Sequence, residues 1–177
     1  MKNLKYYITG GVLLCAIIAS AIFINANLGD DMRTDGVNHI SITSRTSGGN
    51  VLNISHGVGY SDNSSYSVRA MAEGELVYQG ERLVKDDGLL GQYRIEIVFH
   101  GARASTALSK EYPLGKVHEL IDVSDGLKSK YRIRLVYPPD DSMFIIYIGS
   151  DEPLNVNNMD YVKYGGKKGT IELVLNQ

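Results

Sequence analysis

Apolar and polar residues alternate with a period of two along much of this chain. Tyr93, Ile95, Ile97 and Phe99 fall on one side of such a run, with Arg94, Glu96 and His100 on the other. Tyr131, Ile133, Leu135 and Tyr137 repeat the pattern against Lys130, Arg132 and Arg134. Ile171, Leu173 and Leu175 do so against Glu172, Val174 and Asn176. Successive side chains of an extended chain point to opposite faces, so each run predicts a strand with one face buried. Weaker runs predict strands over Val37–Thr43, Val51–Ser55, Tyr66–Ala72, Glu75–Gln79 and Val117–Val123. Met143–Ile148 is continuously apolar, the pattern of a central strand covered on both sides.

Turn chemistry separates the runs, at Ser47-Gly48-Gly49-Asn50, Ser61 to Ser65, Asp87-Gly88, Asp125-Gly126, Pro138-Pro139-Asp140-Asp141 and Gly165 to Gly169. No window carries a long helical period with caps. Eight or nine strands at this spacing predict an all-β fold, an antiparallel β-sandwich of Ig-like or jelly-roll-like type, over residues 37–177. Inside it, Asp87-Gly88-Leu89, Tyr93-Arg94-Ile95 and Val98 recur as Asp125-Gly126-Leu127, Tyr131-Arg132-Ile133 and Val136, seven identities at an offset of 38 residues. Either similar hairpins converge on similar residues, or half a sandwich is duplicated. Each tyrosine resembles the tyrosine corner of Ig-like folds, a likeness of a few residues that identifies no family.

The N-terminus breaks the pattern. Lys2 and Lys5 precede an uncharged stretch from Tyr6 to Gly29, and Asp30 and Asp31 follow it. Basic before and acidic after predicts a cytosolic N-terminus with the rest outside. The apolar core from Ile8 to Ile24 has 17 residues, short for a span and long for a signal peptide. Residues 1–26 therefore read as a signal-anchor, meeting the membrane through residues 6–26, or as a signal peptide cleaved near Ala19-Ser20-Ala21 or Ala26. Residues 27–36 read as a polar linker. The expected location is membrane-anchored with the C-terminal domain in the periplasm or at the cell surface, or secreted if the segment is cleaved. Leu14 before the lone Cys15 breaks a lipoprotein signal.

Charge and composition narrow the function. Without Lys2 and Lys5, sixteen cations face twenty acids, a net charge of -4, which argues against nucleic acid as a partner. With Cys15 in the apolar stretch, the exported part has no disulfide, which favours a bacterial envelope protein. Catalytic signals are missing: there is no Gly-x-Ser-x-Gly, and Ser61-Asp62-Asn63 lacks a companion Ser-x-x-Lys. His39, His56, His100 and His118 are scattered singly, so no metal site is expected, and neither is any cofactor. The sharpest surface feature is the row Lys128, Lys130, Arg132 and Arg134, placed opposite Tyr131, Ile133 and Leu135. It reads as a docking stripe for an anionic partner, or as cations paired with neighbouring acids such as Glu96, or as protection of a sheet edge. The expected function is a non-catalytic binding or assembly module on the outer side of a membrane, taking an envelope protein or surface polymer. The alternatives are an extracytoplasmic enzyme, a hydrolase with a site formed only in three dimensions, and an inhibitor or immunity-type protein.

Overall fold

The computed structural model describes residues 36–45, 49–59, 61–124, 126, 128–139 and 142–175. The expected anchor or signal segment lies outside these residues, as does the linker except for Gly36. The described residues belong to one compact unit. Among them no helix is long and apolar enough to cross a membrane.

Among the described residues the fold is all-β apart from one short helix, and its strands pair antiparallel. In chain order the strands are β1 (Val37–Ser44), β2 (Asn50–His56), β3 (Ser65–Met71), β4 (Leu76–Gln79), β5 (Arg82–Lys85), β6 (Tyr93–His100), β7 (Val117–Ile121), β8 (Lys128–Val136), β9 (Met143–Ser150), β10 (Met159–Lys163) and β11 (Gly169–Leu175). The helix α1 (Thr106–Glu111) lies between β6 and β7. One sheet runs β1-β2-β11, a second runs β10-β3-β6-β9-β8-β7, and β4 and β5 form a separate hairpin.

Ile40, Ile42, Leu52, Ile54, Ile171, Leu173 and Leu175 of the three-stranded sheet meet Val68, Ile95, Ile97, Phe99, Tyr131, Ile133, Leu135, Phe144, Ile146 and Ile148 of the six-stranded sheet in one core. The three strong alternations thus bury the side that their pattern indicates, although Tyr93 at the start of β6 is only half buried. α1 is too short to show a period. Ser105 caps it by accepting from the Leu108 N–H at 3.1 Å, and Leu108 anchors it in the core.

A second, smaller core lies on the opposite face of the six-stranded sheet. There Val98, Val136, Ile145 and Tyr147 meet Val77, Tyr78 and Val84 of the hairpin, together with Leu90. This explains the unbroken apolar run of β9, which has core on both sides. The hairpin turns at Gly80, whose φ of 62° suits the first position of a two-residue loop.

Candidate functional site

β8 is an interior strand between β7 and β9, so its cations do not guard a sheet edge. The sequence-predicted row divides along its length. Lys128 pairs with Ile121 of β7 through the backbone register. Lys130 forms an ion pair with Glu152. Arg132 grips Asp151 with both terminal nitrogens and donates to the Leu89 carbonyl at 3.3 Å. Arg134 lies on the expected face, opposite Ile133 and Leu135, but that face is covered there: it is 1% exposed, beneath the hairpin and the loop that follows it. Its partners are Asp87 at 2.6 Å and Asp86 at 3.4 Å. Glu96, the expected neighbour, instead pairs with Arg69 of β3 at 2.7 Å.

Asp86 also meets Arg94 of β6 at 3.4 Å, and Arg94 donates to the Ala72 carbonyl at 3.2 Å. Two buried arginines therefore share one aspartate, with a second aspartate on Arg134. For the Asp87 carboxyl, burial pushes the pKa up, but the Leu89 N–H and the Arg134 guanidinium outweigh it and hold the group below its ordinary range.

The sequence echo has a spatial counterpart here. β6 and β8 flank β9 on its two sides. Arg94 and Arg132 both lie level with Gly149, Ile95 and Ile133 with Ile148, and Val98 and Val136 with Ile145. Gly88 and Gly126, ahead of the two strands, both take positive φ, 77° and 73°. Gly149 lets the Leu90 backbone settle on the sheet between the arginines: a Cβ there would overlap the Leu90 carbonyl oxygen and lie 2.7 Å from its carbon. The Tyr131 hydroxyl accepts from the Asn50 side chain at 2.7 Å.

Around Lys130 and Arg132 a groove of about 310 Å³ is lined by Glu119, Ser129, Ser150, Asp151 and Glu152. Its three acids outnumber its two cations, so it presents no positive field to an anionic partner. The histidines lie apart: His56 packs on Tyr164, His100 stacks on Tyr161, His118 meets Tyr112 edge-on, and His39 is exposed. Among the described residues no three His, Cys, Asp or Glu side chains converge as metal ligands. Ser64 is buried and donates its hydroxyl to the Gly101 carbonyl at 3.2 Å.

The feature that strand alternation did not reveal is the outer face of the hairpin. Leu76 is diagonal to Leu83, on the strand positions that alternate with the packed Val77 and Val84, so these two side chains lie together away from the sheet. Leu76 is 47% exposed and Leu83 51%. Comparison with family models, curated proteins and solved structures finds no match to this chain.

Proposed function

We propose that the chain is a non-catalytic binding or assembly module, a β-sandwich held at the outer side of a membrane, which takes a protein partner on the outer face of the β4–β5 hairpin. The observation that carries this reading is the pair Leu76 and Leu83, exposed on an element whose other face is already packed. Fully covering one leucine is worth roughly 1.5–3 kcal/mol, so a few such anchors supply useful affinity. An apolar anchor favours an envelope protein over a surface polymer. The shared core of the three- and six-stranded sheets supports the sandwich reading. Lys2 and Lys5 before the uncharged stretch, with Asp30 and Asp31 after it, support the placement outside.

The test uses the full-length chain with a C-terminal tag. Protease added outside intact cells should remove the tag. Leu76→Ser with Leu83→Ser should leave the melting temperature nearly unchanged and abolish recovery of whichever membrane protein co-purifies with the parent chain. A tag protected until lysis overturns the topology. Undiminished recovery by the double variant overturns the hairpin as the contact.

A further inference from the structure

Four strands border the two larger sheets: β7, β10, β1 and β11. Three of these edges are blunted. β7 breaks register between Glu119 and Ile121, and β10 does so between Met159 and Val162, with Tyr161 at φ 49° inside the break. The outer edge of β1 is taken: Val37 donates to the Arg103 carbonyl at 2.7 Å, Ser105 donates back to Val37 at 2.8 Å, and Val123 donates to Ile42 at 2.9 Å. Among the described residues β11 has neither device, although Asn155, Val156 and Asn157 share a pocket with its Val174. It keeps unbroken register with β2 from Gly169 to Leu175. An exposed, regular edge is a template for another strand.

The groups it offers can be named. The Ile42 carbonyl accepts from Val123, and the Ser44 N–H donates to the Ser124 hydroxyl at 2.9 Å, so both residues face away from β2. Bonding direction alternates along an antiparallel pair. Ile54, Leu52 and Asn50, opposite Ile40, Ile42 and Ser44, therefore bond toward β11, where they meet Ile171, Leu173 and Leu175. That leaves the N–H and C=O groups of Thr170, Glu172 and Val174 pointing outward. Among the described residues none of these six groups has a hydrogen-bond partner.

We propose that this edge pairs with β11 of a second copy of the chain, antiparallel about a two-fold axis at Ile171, so that the two three-stranded sheets become one of six strands. The charges favour a second copy as the occupant and this register. An axis at Glu172 would set two carboxylates face to face, which is unfavourable. An axis at Thr170 would set Val174 against Gly166, within the turn before β11. An axis at Ile171 sets Thr170 opposite Glu172 of the other copy, twice, and brings Lys168 diagonal to that Glu172. Lys168 is exposed and has no ion pair among the described residues, and Glu172 has only a loose contact with Arg45 at 3.6 Å. The strand is thus complementary to itself in the register centred on Ile171. This contact is separate from the hairpin face.

The test uses the full-length chain in detergent with Cys15→Ala, carrying either Thr170→Cys or Glu172→Cys. Directly opposed bonded residues have Cα atoms about 5.5 Å apart, within disulfide reach. Mixing the two proteins under mild oxidant should give the mixed covalent dimer in at least fivefold excess over either self-linked dimer. Glu172→Lys should weaken the dimer about tenfold or more in sedimentation equilibrium without lowering the melting temperature. Preferential self-linking of Glu172→Cys overturns the register. Absence of the mixed dimer, or a dimer indifferent to Glu172→Lys, overturns the edge contact. Loss of hairpin-dependent partner recovery changes neither the cross-linking nor the sedimentation result, so the two proposals fail separately.

Discussion

Replacing Arg134 by Met tests whether the buried charges act as a matched set. Met preserves much of the length of the arginine stem and removes the guanidinium. With an effective dielectric near 20, the contacts at 2.6 Å and 3.4 Å correspond to gross attractions of roughly 6 and 5 kcal/mol. The cost of taking the ions out of water offsets most of that gain, but it is not recovered when only one partner is removed. The Asp86 carboxylate would remain buried with Arg94 alone, and Asp87 would lose its cation. Breaking a buried pair in this way costs about 3–5 kcal/mol. Arg132→Met is the control: Arg132 and Asp151 are 28% and 68% exposed, and solvent screens such a pair, so that change should cost far less. Urea denaturation of a chain beginning at Asp35, followed by circular dichroism and tyrosine fluorescence, measures both. Adding Asp87→Asn to Arg134→Met should recover part of the loss, because one stranded charge goes with it. Equal costs for Arg132→Met and Arg134→Met would refute the reasoning.

Two further outcomes follow from the same region and from the β1 edge. Gly149→Ala places a methyl group against the Leu90 backbone, so it should cost about 1–3 kcal/mol in the same urea assay, and Leu90→Ala should not rescue it because the obstacle is the carbonyl. Stability should also fall in acid. The Ser44 hydroxyl and the Ser124 N–H hold Asp122 below the ordinary carboxylate range, and Asp87 is lowered as well. A depressed folded pKa gives stability that is complete above the unfolded value near 3.9 and is lost as pH falls through the folded one. The urea midpoint should therefore hold steady from about pH 7 to 5 and drop below about pH 4. Asp122→Asn should make that acid slope shallower; an unchanged slope would remove Asp122 from the account.

Alternation made β6, β8 and β11 legible because each has one face in the main core. It identified the face of β8 that carries Arg132 and Arg134, but not what covers that face. The cover is made by β4 and β5, strands of four residues each, of which Arg82–Lys85 is too short and too charged at its ends to register as a strand. A signal was nevertheless present. Val98 and Val136 interrupt the polar rows of β6 and β8, and both lie under the hairpin in the second core. An apolar residue at the end of a charged row marks where the solvent stops. β10 was not legible either, since its register break at Tyr161 destroys the period on which the reading depends.

The double burial of β9 has a consequence for how the chain finds its alignment. In a half-buried strand a slip of one residue exposes the apolar set, and the solvent penalty corrects the error. β9 lacks that safeguard, because Ile145, Ile146, Tyr147 and Ile148 would still be buried after a slip in either direction. Its alignment has to be fixed by shape. Gly149 is where the Leu90 backbone rests, and a slip would bring Ile148 or Ser150, each with a Cβ, beneath that carbonyl. One missing methyl group thus works as a ratchet tooth, holding the central strand in step with the strands on both sides.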